Sequence, residues 1–227
     1  MRTKEKKILI RGVALIIAFG VWTLLIKTVD VNPVGVNGTD IGFATLNAGF
    51  HNLTGVNMTL YNITDWLGLV PIFICIGFGI MGFFQLMKRR SLFKVDNDII
   101  LLGFYYVLVI FGYLIFEMIP INYRPVLING FMEASYPSST TLLVLSVMPT
   151  LVFQGNYRLK SIKIKRALTL ITIIFSLFMV LGRLISGVHW LTDILGSVLL
   201  SMGLFYIYKW VVLMSNKEKF QGEAYGI

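Results

Sequence analysis

Cysteine and histidine are nearly absent from this sequence of 227 residues, which has one cysteine, Cys75, and two histidines, His51 and His189. A lone cysteine excludes an intrachain disulfide. One cysteine and two histidines are also too few for the Cys and His clusters that hold structural zinc. We therefore expect no disulfide and no metal cluster of Cys and His, and nothing in the sequence indicates a cofactor.

Charged residues are scarce as well, at 14% of the sequence, whereas 56% is hydrophobic and the mean hydropathy is +0.79. A soluble domain of this length needs far more charged surface, and a disordered chain needs more polar residues. The net charge of +9 would suggest nucleic acid as the partner of a soluble protein. Here the basic residues flank apolar runs, so we assign them to membrane topology and expect no nucleic-acid partner.

Six apolar segments approach the length of about 20 residues that a helix needs to cross a bilayer. The sequence therefore predicts an all-α polytopic membrane protein, with residues 1–227 forming one domain built as a six-transmembrane-helix bundle. The first segment lacks a small-residue cleavage pattern after it, so we expect an uncleaved anchor. The predicted spans are 8–26, 66–87, 98–118, 137–154, 167–187 and 190–213.

The positions of lysine and arginine predict the orientation of these spans. Basic residues concentrate in the stretches 2–11, 88–94, 158–166 and 209–219, which six spans place on one side of the membrane. Such a bias marks the cytoplasmic side. We therefore expect cytoplasmic termini in a plasma membrane, with segment 27–65 lying outside along the interface. Lys27, Arg124 and Arg183 are the basic residues left for the outer side.

Two outward loops collect ionisable residues at the ends of apolar spans, where such residues are costly and indicate function. The first runs from Glu117 through Arg124 and Glu133, and the second joins the fifth and sixth spans. In the second loop His189 and Asp193 are four residues apart, which on a helix places them on one face. A carboxylate there can accept from one imidazole nitrogen and leave the other free as a nucleophile or base.

The other polar groups of these loops match the oxygens of a phosphate. Arg124 and Arg183 carry planar guanidinium forks, and residues 137–140, Pro-Ser-Ser-Thr, open a helix whose free N–H groups suit an oxyanion. A purely structural alternative stays open. In it, Arg183 pairs with Asp193 across spans, His189 caps a helix, and residues 137–140 are only an N-terminal cap.

These loops resemble the signature of the type 2 phosphatidic acid phosphatases, or lipid phosphate phosphatases, a six-span family related to soluble acid phosphatases and haloperoxidases. The signature reads Lys-x6-Arg-Pro, then Pro-Ser-Gly-His, then Ser-Arg-x5-His-x3-Asp. Its third part is matched from Gly182 to Asp193, with Gly182 in place of the leading Ser. The family carries the first two parts between spans three and four and the third between spans five and six, where the two loops lie here.

The resemblance implies a phosphatase that acts on a phosphorylated lipid of the bilayer through a phosphohistidine, without a metal. It makes His189 the nucleophile and Asp193 the residue that orients it, with the active site on the outer side of the membrane. The phosphoryl oxygens would be bound by Arg124, Arg183, Ser138, Ser139 and Thr140.

Three positions depart from the signature. Glu117 stands where the family has Lys, Ser139 where it has Gly, and Thr140 where it has the His that protonates the leaving group. General-acid help typically contributes about 10²–10⁴ in rate, and threonine cannot supply it near neutral pH. Either another acid replaces it, for which the outward-side candidates are Glu133, Glu117 and His51, or the leaving group is the weakly basic phosphate of a lipid diphosphate.

Hydrolysis of the phosphate or diphosphate head of a phosphatidate-like or polyprenyl lipid is the function we expect first. A relative that binds such a lipid without hydrolysing it is an alternative, because of Glu117 and Thr140. Head-group transfer between lipids is another, since an alcohol can resolve a phosphohistidine in place of water. The sequence carries no signal for an oligomeric state.

Overall fold

The computed structural model describes residues 3–225, with side chains for residues 4–216. Residues 2 and 3 of the first basic stretch and residues 217–219 of the last lie outside the described side chains. Residues 3–225 form no strand, which confirms an all-α protein. The helices are α1 (Thr3–Ile26), α2 (Ala44–Thr54), α3 (Met58–Leu67), α4 (Leu69–Arg89), α5 (Asn97–Met118), α6 (Ser139–Arg158), α7 (Ile162–Ile185) and α8 (Leu191–Tyr225).

Five helical stretches within residues 3–225 are long and apolar enough to cross a membrane. They are Lys4–Ile26, Met58–Arg89, Asn97–Met118, Ile162–Ile185 and Leu191–Asn216. The second is longer than the predicted span because α3 runs into α4 with only Gly68 between them. The predicted span 137–154 corresponds to α6, a 20-residue helix that is too polar to be counted among these five.

The polar composition of α6 is explained by its position inside the bundle, where α4, α5, α7 and α8 all pack against it. Thr150 and Gln154 are fully buried on this helix. The Thr150 hydroxyl lies 2.8 Å from the Tyr106 hydroxyl, and Gln154 Nε2 donates to the Tyr208 hydroxyl at 2.6 Å. Polar groups in an apolar bundle must find such partners. The low hydropathy of α6 therefore reflects internal pairing.

Close packing of α1 along α8 fixes the start of α8. A β-carbon on Gly12 would stand 2.9 Å from Ile207 Cγ1, so only glycine allows this approach. At the other end of the contact, Trp22 Nε1 donates to the carbonyl oxygen of Thr192 at 3.1 Å. The first turn of α8, which carries Asp193, is thereby held in place.

The segment 27–65 contains α2 and most of α3, and α3 packs against α7. Asn57 begins α3 by accepting a hydrogen bond from the Leu60 N–H at 2.9 Å. Further along, α3 packs against α7 at Gly182, where a β-carbon would stand 2.7 Å from Thr64 Cγ2. This contact brings Asp65, a residue not considered from the sequence, to Arg183 in the last turn of α7.

Candidate active site

The loop between α5 and α6 folds back on itself and places Arg124 beside Glu133. Tyr123 and Ala134 form an isolated antiparallel bridge, and the Arg124 N–H donates to the Glu133 carbonyl oxygen at 3.0 Å. The reversal falls at 129–130, an Asn-Gly pair whose φ angles are 50° and 83°. Positive φ at both residues is typical of the tight turn that Asn-Gly favours.

His189 lies in the turn between α7 and α8 and is only 3% exposed. Its Nδ1 is 3.1 Å from the carbonyl oxygen of Ser135, which can only accept, so we assign the proton to Nδ1. Nε2 is buried without a hydrogen-bond partner. Burial, together with the positive charges of Arg124 and Arg183, lowers the pKa of His189 well below its ordinary value. The imidazole is therefore neutral near pH 7, with the lone pair of Nε2 free.

Asp193 is fully buried beside His189 and is held by two other groups. Its Oδ2 accepts from the Trp190 N–H at 2.9 Å, and its Oδ1 accepts from Asn122 Nδ2 at 3.3 Å. Its distance to His189 Nδ1 is 3.7 Å, longer than a hydrogen bond. Nδ1 bonds instead to the Ser135 carbonyl, because α8 begins two residues after His189, and Asp193 stays within ion-pair distance of the imidazole without a hydrogen bond to it.

A polar cavity of about 220 Å³ opens beside His189. Its polar lining residues include Tyr113, Glu117, Arg124, Glu133, Ser135, Ser139 and His189. Arg124 is buried, with Nη1 lacking a hydrogen-bond partner and Nε 3.1 Å from Glu133 Oε2. An anion bound to Arg124 in this cavity would lie close to His189 and would compete with the Glu133 carboxylate.

Arg183, which is 1% exposed, is enclosed by groups from α3 and α6. Its Nη2 donates to Asp65 Oδ1 at 2.9 Å and to Thr140 Oγ1 at 2.7 Å, and its Nη1 donates to the Tyr61 carbonyl oxygen at 3.2 Å. Only Nε of this guanidinium is left without a partner. The carboxylate that pairs with Arg183 is thus Asp65 and not Asp193, contrary to the structural alternative.

The start of α6 presents Ser139 to the cavity. The Ser138 hydroxyl points inward and donates to Thr141 Oγ1 at 3.1 Å, whereas Ser139 lines the cavity. The first N–H groups of a helix have no acceptor within the helix. Those of Ser139 and Thr140 are therefore available to an anion.

The three candidate acids differ in position. Glu133 and Glu117 line the polar cavity. His51 belongs to α2, and its ring centre is 5.6 Å from that of Trp190, outside the cavity lining. Within the described part of the chain, no three His, Cys, Asp or Glu side chains are grouped as metal ligands would be.

Three groups at the site were missed by sequence reasoning: Asp65, Asn122 and the carbonyl of Ser135. Asp65 did carry a signal, since an ionisable residue just before the apolar run of α4 is costly there. Asn122 lies two residues before Arg124, in a loop already identified. A backbone carbonyl leaves no trace in a sequence.

An apolar cleft of about 490 Å³ adjoins the polar cavity. It runs between α4, α5 and α6, and its apolar lining includes Leu69, Ile72, Ile110, Leu142 and Val147. Ser139 and Tyr113 line both spaces, whereas Asp65 and Thr140 line the cleft alone. A molecule with a polar head and an apolar chain can therefore span the junction at Ser139.

Comparison with known proteins bears on the family and on the fold. The sequence profile of the PAP2 superfamily matches residues 75–217. No curated protein sequence matches the chain. Among solved structures, a transmembrane PAP2-type phosphatidylglycerolphosphate phosphatase from Bacillus subtilis matches with a TM-score of 0.63 at 18% identity, over 88% of this chain and 94% of that one. At this identity the likeness establishes the fold.

Proposed function

Because the chain belongs to the PAP2 superfamily, as the resemblance of its loops predicted, we propose that it is a membrane lipid phosphatase that works through a phosphohistidine at His189. The observation that carries the proposal is a buried, neutral imidazole with a free Nε2 in a cavity lined by Arg124. A nucleophile needs a free lone pair beside the group that binds its electrophile. Phosphate release by the purified, detergent-solubilised protein from lipid mono- and diphosphates tests the proposal, and no release from either would contradict it.

In the first step, Arg124 Nη1 and the N–H groups of the first turn of α6 hold the phosphoryl group. Nε2 of His189 attacks phosphorus, a P–N bond forms, and the bond to the leaving oxygen breaks. Positive charge then develops on the imidazole. The Ser135 carbonyl, which accepts from Nδ1, and the nearby Asp193 carboxylate stabilise that charge. In the second step water displaces His189 from phosphorus.

A lipid diphosphate suits this site better than a monophosphate. Thr140 cannot protonate a leaving alkoxide, whereas a phosphate that leaves from a diphosphate is far less basic and needs little protonation. The free N–H groups at the start of α6 can also serve the additional oxygens, whereas Arg183 lines neither cavity and its Nε is buried. We assign no phosphate contact to the hydroxyl of Ser138, since it is bonded to Thr141.

The apolar cleft suits the hydrocarbon chain of the lipid, because it begins at Ser139 beside the proposed head-group position. Ile72→Trp narrows the cleft. We expect it to raise KM for a long-chain lipid diphosphate about fivefold or more, since each excluded methylene loses about 0.8 kcal/mol. A short, water-soluble diphosphate should keep its KM. Ile76→Trp, on the same helix but outside the cleft lining, is the control, and equal effects on both substrates would contradict the assignment.

The Glu133 carboxylate is paired with Arg124, whose guanidinium group we expect to bind the phosphate. Glu133→Gln removes this competitor, so we expect KM for a lipid diphosphate to fall about two- to fivefold. This fall corresponds to the loss of a partly exposed ion pair that contributes under about 1 kcal/mol. The value of kcat should change little. Steady-state kinetics of both proteins measure this. A fall in kcat of tenfold or more at unchanged KM would instead make Glu133 the missing proton donor.

The proposed topology has six spans, with α6 as the fourth, in a plasma membrane. The site lies where α5 and α7 end and α6 and α8 begin, and the basic stretches 88–94 and 158–166 lie at the opposite helix ends. By the positive-inside rule the basic ends are cytoplasmic and the site faces outward.

A protein that binds a phosphorylated lipid without hydrolysing it is the second candidate. It is favoured by the pairing of both outward arginines with carboxylates, Arg124 with Glu133 and Arg183 with Asp65. Such a protein would retain a labelled lipid diphosphate on purification and release no phosphate from it.

A further inference from the structure

Asp65, near the end of α3, accepts a hydrogen bond from the same nitrogen atom of Arg183 as Thr140 does. Arg183 Nη2 donates to Asp65 Oδ1 at 2.9 Å and to Thr140 Oγ1 at 2.7 Å, so the carboxylate and the hydroxyl are neighbours. The Asp65 side chain is nevertheless 56% exposed, against 1% for Arg183. The carboxylate is thus fixed on one side and open on the other.

The close approach of α3 and α7 is what places Asp65 there. Gly182 leaves room for Thr64, since a β-carbon would stand 2.7 Å from Thr64 Cγ2. Thr64 Oγ1 then lies 3.3 Å from Arg183 Nη1, and the Tyr61 carbonyl oxygen lies 3.2 Å from the same nitrogen. Several bonds to one guanidinium hold the end of α3 in register with the site.

Asp65 and His189 line different spaces, the apolar cleft and the polar cavity, which meet at Ser139. Thr140 lines the cleft with Asp65. In phosphoryl transfer the attacking and leaving groups lie roughly in line on opposite sides of phosphorus. A phosphoryl group at Ser139 that His189 attacks from the polar cavity therefore has its leaving oxygen toward the cleft that Thr140 and Asp65 line.

We propose that Asp65 is the general base for hydrolysis of the phosphohistidine, a role that rests on the proposed function of His189. Once the leaving group has departed, a water molecule takes its place beside Asp65. The water oxygen bonds to phosphorus as the P–N bond breaks, one proton of the water passes to the Asp65 carboxylate, and His189 regains the lone pair on Nε2. Asp65 then returns the proton to solvent through its exposed side.

The other acidic groups are less suited to this step. Glu133 is paired with Arg124, the group that holds the phosphoryl oxygens, and an incoming phosphate displaces it. Glu117 lines the polar cavity on the same side of the junction as His189. His51 packs against Trp190 outside the lining of either cavity.

Asp65→Asn separates the two chemical steps, because the amide oxygen can still accept from Arg183 but cannot take a proton from water. We expect the first turnover to form lipid monophosphate from a lipid diphosphate at nearly the wild-type rate. The steady-state rate should fall about 10²–10⁴-fold, the usual worth of a general base. Protein-bound phosphate should accumulate toward one per chain, as measured by rapid quench with substrate labelled on its terminal phosphate.

Two further variants keep the test decisive. Asp65→Glu retains a carboxylate and should recover part of the steady-state rate, and Asp40→Asn, at an exposed position of the outer segment, should behave as wild type. If Asp65→Asn slows the first turnover as much as the steady state, Asp65 only positions Arg183 and the proposal is overturned. An unchanged steady-state rate also overturns it. Failure of wild type to form bound phosphate or release product would instead reject the function proposed for His189.

Discussion

His189→Ala is expected to lower phosphate release from lipid diphosphates by at least about 10⁴-fold, because it removes the attacking atom itself. His189 is positioned for attack by what surrounds it: Nδ1 is bonded to the Ser135 carbonyl, and Nε2 is buried without a partner. Burial and two nearby arginines keep the ring neutral. No other side chain of the polar cavity combines a free lone pair with this environment.

The alanine variant should still insert and still bind substrate. Arg124, which carries the proposed phosphate contact, makes no bond to His189, so binding of a labelled lipid diphosphate should persist. His51→Ala is the matched control, since it removes the other histidine from a position against Trp190, and it should retain wild-type turnover within a few-fold. Turnover that survives in His189→Ala would rule out the phosphohistidine mechanism.

Thr140→His is expected to raise turnover of lipid monophosphates at least about tenfold while changing turnover of diphosphates by no more than a few-fold. An acid positioned at the leaving oxygen can contribute about 10²–10⁴, but only where the leaving group is basic enough to need a proton. Thr140 Oγ1 accepts from Arg183 Nη2, which also holds Asp65. An imidazole at this position would therefore lie next to a carboxylate that can orient it.

The space for this substitution exists because Thr140 borders the apolar cleft of about 490 Å³. Thr140→Asn is the matched control, since it introduces a polar side chain that cannot donate a proton as an acid. The ratio of monophosphate to diphosphate turnover, measured for all three proteins under one condition, is the informative quantity. An equal rise on both substrates would mean that absence of an acid at Thr140 does not set the substrate preference.

The parts of the site that could be predicted from sequence are those with local spacing. Arg183, His189 and Asp193 lie within eleven residues of one another, and their pattern alone identified the loop between α7 and α8. Arg124 was identified because the predicted topology places it on the side that has few basic residues. The helical character followed from long apolar runs, whose burial in lipid requires internally bonded backbone.

The parts that could not be predicted depend on contacts between distant segments. The pairing of Arg183 with Asp65 joins positions 118 residues apart and needs the close contact of α3 with α7 at Gly182. The pairing of Arg124 with Glu133 depends on the reversal at 129–130. From the sequence we expected His189 to bond to Asp193, but it bonds to the Ser135 carbonyl. A four-residue spacing implies a shared helical face only inside a helix, and α8 starts after His189.

Chemical mapping of the phosphorylated residue tests the central claim most directly. The protein is mixed with a lipid diphosphate labelled on its terminal phosphate, denatured in base to preserve a phosphohistidine, and digested for identification of the labelled peptide. The proposed mechanism predicts base-stable, acid-labile label on His189, absent from His189→Ala and enriched in Asp65→Asn. Steady release of phosphate by wild type with no label on any histidine would contradict it.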